Sequence, residues 1–543
     1  MKNIFTTLSI ALLLLASCTS NDAEKAKQAA TIANLKRHTE SLSSDSCQGR
    51  KPFSVGAERA VNYLTEEMKA IGLKPINGDS YLQEVPLVLS ETECSPEMTL
   101  NTPEGKMPLK YMSEFVGFSK RIEPEIDIKD AELVFAGYGI VAPEYGKNDF
   151  AGIEHPENKV AVVIVNDPGL GATGDYFKGD TMTYYGRWMY KYEEGARQGM
   201  KGVLIIHEDR GAGYPWNVVA AGAKSKLYID NKEDKSYYCP LEGWITNDAA
   251  RELLRRNGYD LAELKENAKK PDFKPIPLKS TVSVSMQNQF TYNNSPNVVG
   301  YIEGSKKNDE SIVYTAHWDH LGYGAPIEGD SIINGATDNA SAMAWLLETA
   351  RCFKALKQRP ERNIVFLIPT CEETGFQGTI YYTEHPIFPI EKTVAVINCD
   401  VLPFWGENND VTITGYGHSS LDGTVAELAK KYNRYVMPDP DSFNGMFYRS
   451  DHFPFMRKGV PAMFAKGWND NREHGKEWAA EKIKDYWANT YHKPTDQVHP
   501  DTDNYEGVMQ EVQLFFDLGY KLANSSDFPQ WNPGSEFGNI LKR

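Results

Sequence analysis

The chain has 543 residues, of which 41% are hydrophobic and 24% charged, and a formal charge of −16. Single cores stop growing at roughly 250 to 300 residues, so this length excludes one ordinary domain, and the composition excludes a disordered chain. The acidic balance argues against a nucleic-acid partner, because phosphate binding needs clustered lysine and arginine.

At the N-terminus Lys2 precedes an apolar stretch, Leu8 to Leu15, that is too short to span a bilayer and has the layout of an export signal. It closes on Leu15-Ala16-Ser17-Cys18, which resembles the lipobox of bacterial lipoproteins. That resemblance implies a signal over 1–17, lipidation of Cys18, and a membrane-anchored protein facing the periplasm or the cell surface. The alternative is a simple secretory signal with an incidental cysteine. Cys47, Cys94, Cys239, Cys352, Cys371 and Cys399 are widely scattered and form no CxxC pair of the kind that builds thiolate metal sites.

After a polar tether, Ala57, Ala60, Val61, Leu64, Met68 and Ile71 follow helical spacing, and Gly72 stands where a C-terminal cap belongs. From about Val85 to Ser280 short apolar runs alternate with Gly, Pro, Asn and Asp clusters, which predicts a β-rich insert. Within it Gly169-Leu-Gly-Ala-Thr-Gly174 spells a dinucleotide fingerprint. The residues that follow lack apolar periodicity, so the segment reads as a flexible loop. From Asn297 onward strand-like runs (Ile312 to Ala316, Ile364 to Pro369, Val394 to Asn398) alternate with helical patterns at Asn339 to Leu356, Leu421 to Tyr432 and Val508 to Leu522. This alternation predicts an α/β fold with a mainly parallel sheet flanked by helices. The expected divisions are a tether and first part of the main domain over 18–85, an insert over 86–285, and the rest of the main domain over 286–543.

The strand ends carry the chemistry. His317 and Asp319 follow the first run, Glu372 and Glu373 the second, Asp400 the third, and Asp338 precedes a helix. Ligands in open α/β sheets bind beyond the carboxyl ends of the strands, so these distant residues would converge on one rim. Histidine with several carboxylates suits zinc or a similar divalent ion, with manganese or cobalt also compatible, and Asp338 is short enough to bridge two ions. HExxH, GxSxG and Walker strings are absent.

The strings "TAHWDHLG", "NGATDNASA", "CEETGFQGT", "INCDV", "RSDHFPF" and "YHKPTD", in this order, resemble the M28 zinc aminopeptidases, and the segment beginning "SSDSCQGRKPF" is similar to that family's opening. The resemblance covers roughly Ser41 to Pro75 and Asn297 to Leu522. It implies a zinc peptidase fold of the phosphorylase/hydrolase type, and the segment between looks like a protease-associated domain. It also implies two zinc ions, with His317 and Asp400 on one, Glu373 and His492 on the other, and Asp338 between them. Asp319 would orient the His317 imidazole, Glu372 would be the general base, and Tyr491 could bond the developing oxyanion. Arg449, Asp451 and His452 resemble a loop that lines the pocket, His320 is expected to be structural, and Phe404 and Trp405 are either a substrate wall or core aromatics. The implied reaction is hydrolysis of the peptide bond at a free N-terminus. The rival readings are a single-zinc acyltransferase like the glutaminyl cyclases and a noncatalytic binding protein on the same scaffold.

Overall fold

The computed structural model describes residues 22–172, 174–230 and 238–541. The export segment and Cys18 lie outside the described residues. The chain divides into two compact units. One comprises 1–85, 294–440 and 449–543, and the other Pro86–Asn293 together with Asp441–Tyr448.

The first unit is built on a sheet whose neighbouring strands run Tyr435–Pro438, Asp410–Ile413, Ala462–Lys466, Thr393–Asn398, Lys307–Thr315 and Arg362–Ile368, closed by residues 298–302 of the strand Ile276–Ile302. Lys307–Thr315 pairs in parallel with Arg362–Ile368 on one side and Thr393–Asn398 on the other, and the latter pairs in parallel with Ala462–Lys466. Antiparallel pairs frame this parallel core. Residues that alternate along one strand face opposite sides of a sheet, and here they divide two apolar layers. Ile312, Tyr314, Ile364, Phe366, Ala395 and Ile397 join the layer of the helices Val55–Ile71, Ser341–Ala355 and Glu506–Ala523. Val313, Val365, Leu367 and Val396 join Tyr382 and Phe455 on the other face. Strands buried on both faces can carry polar side chains only where they leave the core, which explains the acidic strand ends.

The helix predicted near residue 60 spans Val55–Ile71. Ser54 caps its start by accepting from the Ala57 N–H at 3.1 Å, and Gly72 ends it at φ 82°, a left-handed conformation that glycine adopts without strain. All six of its expected apolar positions are buried. The helix Ser341–Ala355 is preceded by a single π turn over Ala336–Ala340, which holds Asp338.

The second unit is rich in strands, as expected, but it also carries helices that the expectation lacked. Parallel strands Glu125–Phe135, Lys159–Ile164, Gly202–Ile206 and Leu241–Ile245 lie side by side. Amphipathic helices Trp188–Arg197, Asn247–Arg256 and Leu261–Ala268 accompany them, so this unit is α/β as well. The glycine-rich stretch after Lys159–Ile164 leads into no regular helix among its described residues. Buried Asp167 anchors it, accepting from the Gly169 N–H at 2.9 Å and from the Thr183 N–H and hydroxyl at 2.9 and 2.7 Å. All six described cysteines are buried free thiols.

Candidate metal centre

The donors converge because successive parallel strands end at the same level. Thr315 is in register with Leu367 on one side and Asn398 on the other, so the residues just past each strand reach one rim. His317 Nε2 lies 3.4 Å from Asp338 Oδ1 and 3.5 Å from Asp400 Oδ1. His492 Nε2 lies 3.3 Å from Asp338 Oδ2 and 3.2 Å from Glu373 Oε2. Two donor groups result, His317–Asp338–Asp400 and His320–Asp338–Glu373–His492, and Asp338 belongs to both. Buried Asp338 Oδ1 and His492 Nε2 have no hydrogen-bond partner. Burying polar atoms unpaired costs about 1–3 kcal/mol each, so their gathering here fits a cation that would satisfy them.

The His317 Nδ1–H donates to the Asp319 main-chain carbonyl at 3.1 Å, which leaves Nε2 as the free lone pair facing the carboxylates. The Asp319 carboxylate was expected to make that contact, but it stands 3.8 Å from Nδ1. Instead it accepts from the main-chain N–H groups of Glu372 and Glu373 at 3.0 and 3.4 Å and thereby sets the turn that presents both glutamates. Burial, opposed by the nearby His317 imidazole, pushes Asp319 up to about 6.

Electrostatics separates the two adjacent glutamates. Burial raises the proton affinity of Glu372 well above the usual range, the neighbouring Asp400 and Glu373 charges reinforce the rise, and His317 only partly offsets it. Burial acts on Glu373 in the same direction, but His492 and a hydrogen bond to His320 bring it down to about 2. Burial lowers His492 less than Glu373 and Asp338 raise it, and its pKa reaches about 10. Glu372 stands beside the donor groups rather than in them, with Oε2 4.0 Å from His317 Nε2. His320, expected to be structural, pairs Nδ1 with Glu373 Oε1 at 2.7 Å and so touches a donor directly. The Tyr491 ring stacks on His492 at 3.7 Å between centroids.

The loop expected to line the pocket carries Arg449, Asp451 and His452. Asp451 and His452 are fully buried. Asp451 accepts from the Thr379 hydroxyl at 2.5 Å, and His452 packs on Phe464. This loop touches the donors through Ser450, whose hydroxyl donates to Asp400 Oδ2 at 2.7 Å. Arg449 precedes it in the same loop. Phe404 and Trp405 pack against Tyr505 and Trp468 respectively, and both also line a cavity beside Thr337 and Asp496. His474 and His499 are exposed.

Other supporting residues escaped sequence reasoning. Asp496 accepts from the main-chain N–H groups of Thr337 and Asp338 at 2.9 and 3.0 Å and so fixes the turn under the shared carboxylate. It closes the "YHKPTD" string, which was its only signal. Lys466 donates to the carbonyls of Asp400 and Val401, both at 2.8 Å, where Val401 holds a φ of 58° that a β-branched residue adopts only at a cost. Nothing in the string "AMFAKG" marks that role. Parallel pairing of Asn398 with Phe464 brings Lys466 level with Asp400.

The sheet packed on both faces and the imidazole–carboxylate rim define an α/β protein with a candidate metal centre at its strand ends. Residues 297–514, which contain every donor named above, match the model of Peptidase family M28. Aminopeptidase NAALADL1 of Rattus norvegicus is 31% identical over 211 residues, which are 37% of this chain and 25% of that protein. A glutamate carboxypeptidase 2 homolog of Caenorhabditis elegans is 24% identical over 272 residues, 46% of this chain and 33% of that one. The chain thus spans between a quarter and a third of the length of these relatives. An aminopeptidase structure from Aneurinibacillus sp. strain AM-1 aligns over 93% of this chain and 97% of its own, at 17% identity and a TM-score of 0.47. A zinc aminopeptidase from Bacillus subtilis aligns over 94% and 98%, at 15% identity and a TM-score of 0.42.

Proposed function

We propose that this protein is an aminopeptidase that holds two divalent cations, preferably zinc, and hydrolyses the first peptide bond of substrates with a free N-terminus. The observation that carries the reading is the division of the Asp338 carboxylate, one oxygen toward His317 and the other toward His492. His317 and Asp400 would hold one cation, Glu373 and His492 the other, and Asp338 both. Bound ions of this kind polarise a scissile carbonyl and acidify water. Glu372 is the base: its raised proton affinity and its position beside the donors suit it to take a proton from the attacking water and release it to the departing amine. Tyr491, stacked on His492, would donate its hydroxyl to the developing oxyanion. The surplus of carboxylates favours the substrate ammonium.

Two donor groups sharing one residue support a pair of cations over the single ion of a cyclase-like acyltransferase. Export and lipid attachment at Cys18 remain part of the proposal on the sequence signal alone. No described helix is long and apolar enough to cross a membrane.

The test uses aminoacyl amides and N-blocked peptides as substrates, with zinc restored after chelation. Cleavage confined to unblocked substrates is expected. Equal cleavage of blocked peptides, or activity indifferent to chelation, overturns the reading. Glu372→Gln should keep its zinc while kcat falls by roughly 10²- to 10⁴-fold, and near-normal turnover would remove Glu372 as the base.

A further inference from the structure

The segment before residue 75 lies outside the family match at 297–514, yet it places a fully buried arginine directly beneath the donors. Arg50 makes no ion pair among the described contacts and spends its guanidinium on main-chain carbonyls. Nε donates to Trp318 O at 2.9 Å, Nη1 to Leu42 O at 2.8 Å and Asn334 O at 2.6 Å, and Nη2 to Gly335 O at 3.0 Å and Asp338 O at 3.4 Å. In return the Arg50 carbonyl accepts from the His320 N–H at 3.2 Å. One planar fork therefore ties the loop that carries His317, Asp319 and His320 to the loop that carries Asp338. A buried guanidinium without a carboxylate is costly, and it persists only where several acceptors surround it.

The local backbone is shaped for this placement. Gln48, Gly49 and Arg50 all have positive φ. A Cβ on Gly49 would stand 2.4 Å from Gly322 O and 2.5 Å from Ile333 O, so only glycine lets the segment approach so closely. Asn334 adds a second tie, donating from Nδ2 to Ser43 O at 2.8 Å and to Asp45 Oδ1 at 3.0 Å.

We infer that Arg50 is a positioning residue for cation binding, which sets the spacing between the His317 loop and the Asp338 loop, so the metal centre depends on a segment far outside the 297–514 region. The inference rests on the two-cation reading above. Its fork geometry cannot be supplied by lysine, which presents its donors from a single nitrogen.

The test compares zinc affinity, by chelator competition, and thermal melting of the zinc-free protein for the full chain and for Arg50→Lys. Residues that orient metal ligands typically contribute about 10- to 100-fold in affinity, and a loss of that size is expected for Arg50→Lys. Arg362→Lys is the control. Arg362 is equally buried and donates to Leu522 O at 2.6 Å and Ser526 O at 3.3 Å, but it sits at the far end of the strand Arg362–Ile368 from the donors. It should lower the melting temperature and leave zinc affinity within about twofold. Wild-type affinity in Arg50→Lys, or an equal loss in Arg362→Lys, overturns the inference while the two-cation reading stands. Should Arg50→Lys not accumulate as folded protein, Asn334→Ala loosens the same loop from the same segment, with the same expectation and the same refutation. A wild-type chain that binds no zinc would end both readings.

Discussion

Asp496→Asn is the sharpest test of how the shared carboxylate is held. The two Asp496 oxygens accept from the N–H groups of Thr337 and Asp338 at 2.9 and 3.0 Å. Asparagine keeps one acceptor and turns an NH₂ donor toward the other peptide N–H. The loss is one charge-assisted hydrogen bond, about 1.5–3 kcal/mol, together with about 1–3 kcal/mol for a buried N–H left unpaired. Burial raises the Asp496 pKa, so removing its charge returns part of this and leaves a net local cost of about 2–4 kcal/mol. Hydrogen exchange reads that cost directly: protection of the Thr337 and Asp338 amides should fall roughly 30- to 700-fold in the zinc-free protein. Zinc affinity should fall with it, by about 10-fold or more. Unchanged protection and unchanged affinity would refute the claim that Asp496 holds this turn.

Three further outcomes follow from other parts of the molecule. Asp338→Asn should cost the protein at least one cation after dialysis, and metal analysis showing both retained tightly would end the bridging assignment. Gly519 lies inside the helix Glu506–Ala523, where alanine ordinarily adds about 1 kcal/mol of stability. Here its Cβ would fall 1.8 Å from the Tyr314 hydroxyl oxygen, which donates to Phe515 O at 2.7 Å. Gly519→Ala should therefore destabilise by about 1–3 kcal/mol in thermal melts, and a raised melting temperature would contradict the packing. Burial, partly offset by the Gly417 N–H, raises Asp422 from 3.8 to about 6. Its ionisation thus costs more in the folded state than in the unfolded chain, and the stability it contributes below pH 4 is lost as pH rises through about 6. The gap corresponds to about 3 kcal/mol, reduced to about 1–2 kcal/mol by solvent at this partly exposed site. Asp422→Asn should melt higher than the parent above pH 6 and no differently near pH 3.5, and an advantage independent of pH would refute the assignment.

The sequence by itself determined the alternation of strands and helices after Asn297, the capped helix ending at Gly72, and the polar strand ends that hold the candidate donors His317, Glu373 and Asp400. Each of these is written in short strings whose periodicity or polarity is local. A polar cluster that closes an apolar run can be read as a strand end without knowing which strand lies beside it. The α/β character of the insert was not legible. Its helices, Trp188–Arg197 among them, are brief, and glycine and aspartate interrupt the surrounding text. Tertiary structure alone decided what holds the donors. Arg50 lies 268 residues from the Trp318 carbonyl it bonds, Asp496 lies 158 from the Asp338 N–H, and Lys466 lies 66 from the Asp400 carbonyl. These supports act on main-chain atoms, which every residue carries, so no side-chain pattern records their targets. Strand register and loop closure chose them, and both are properties of the assembled sheet.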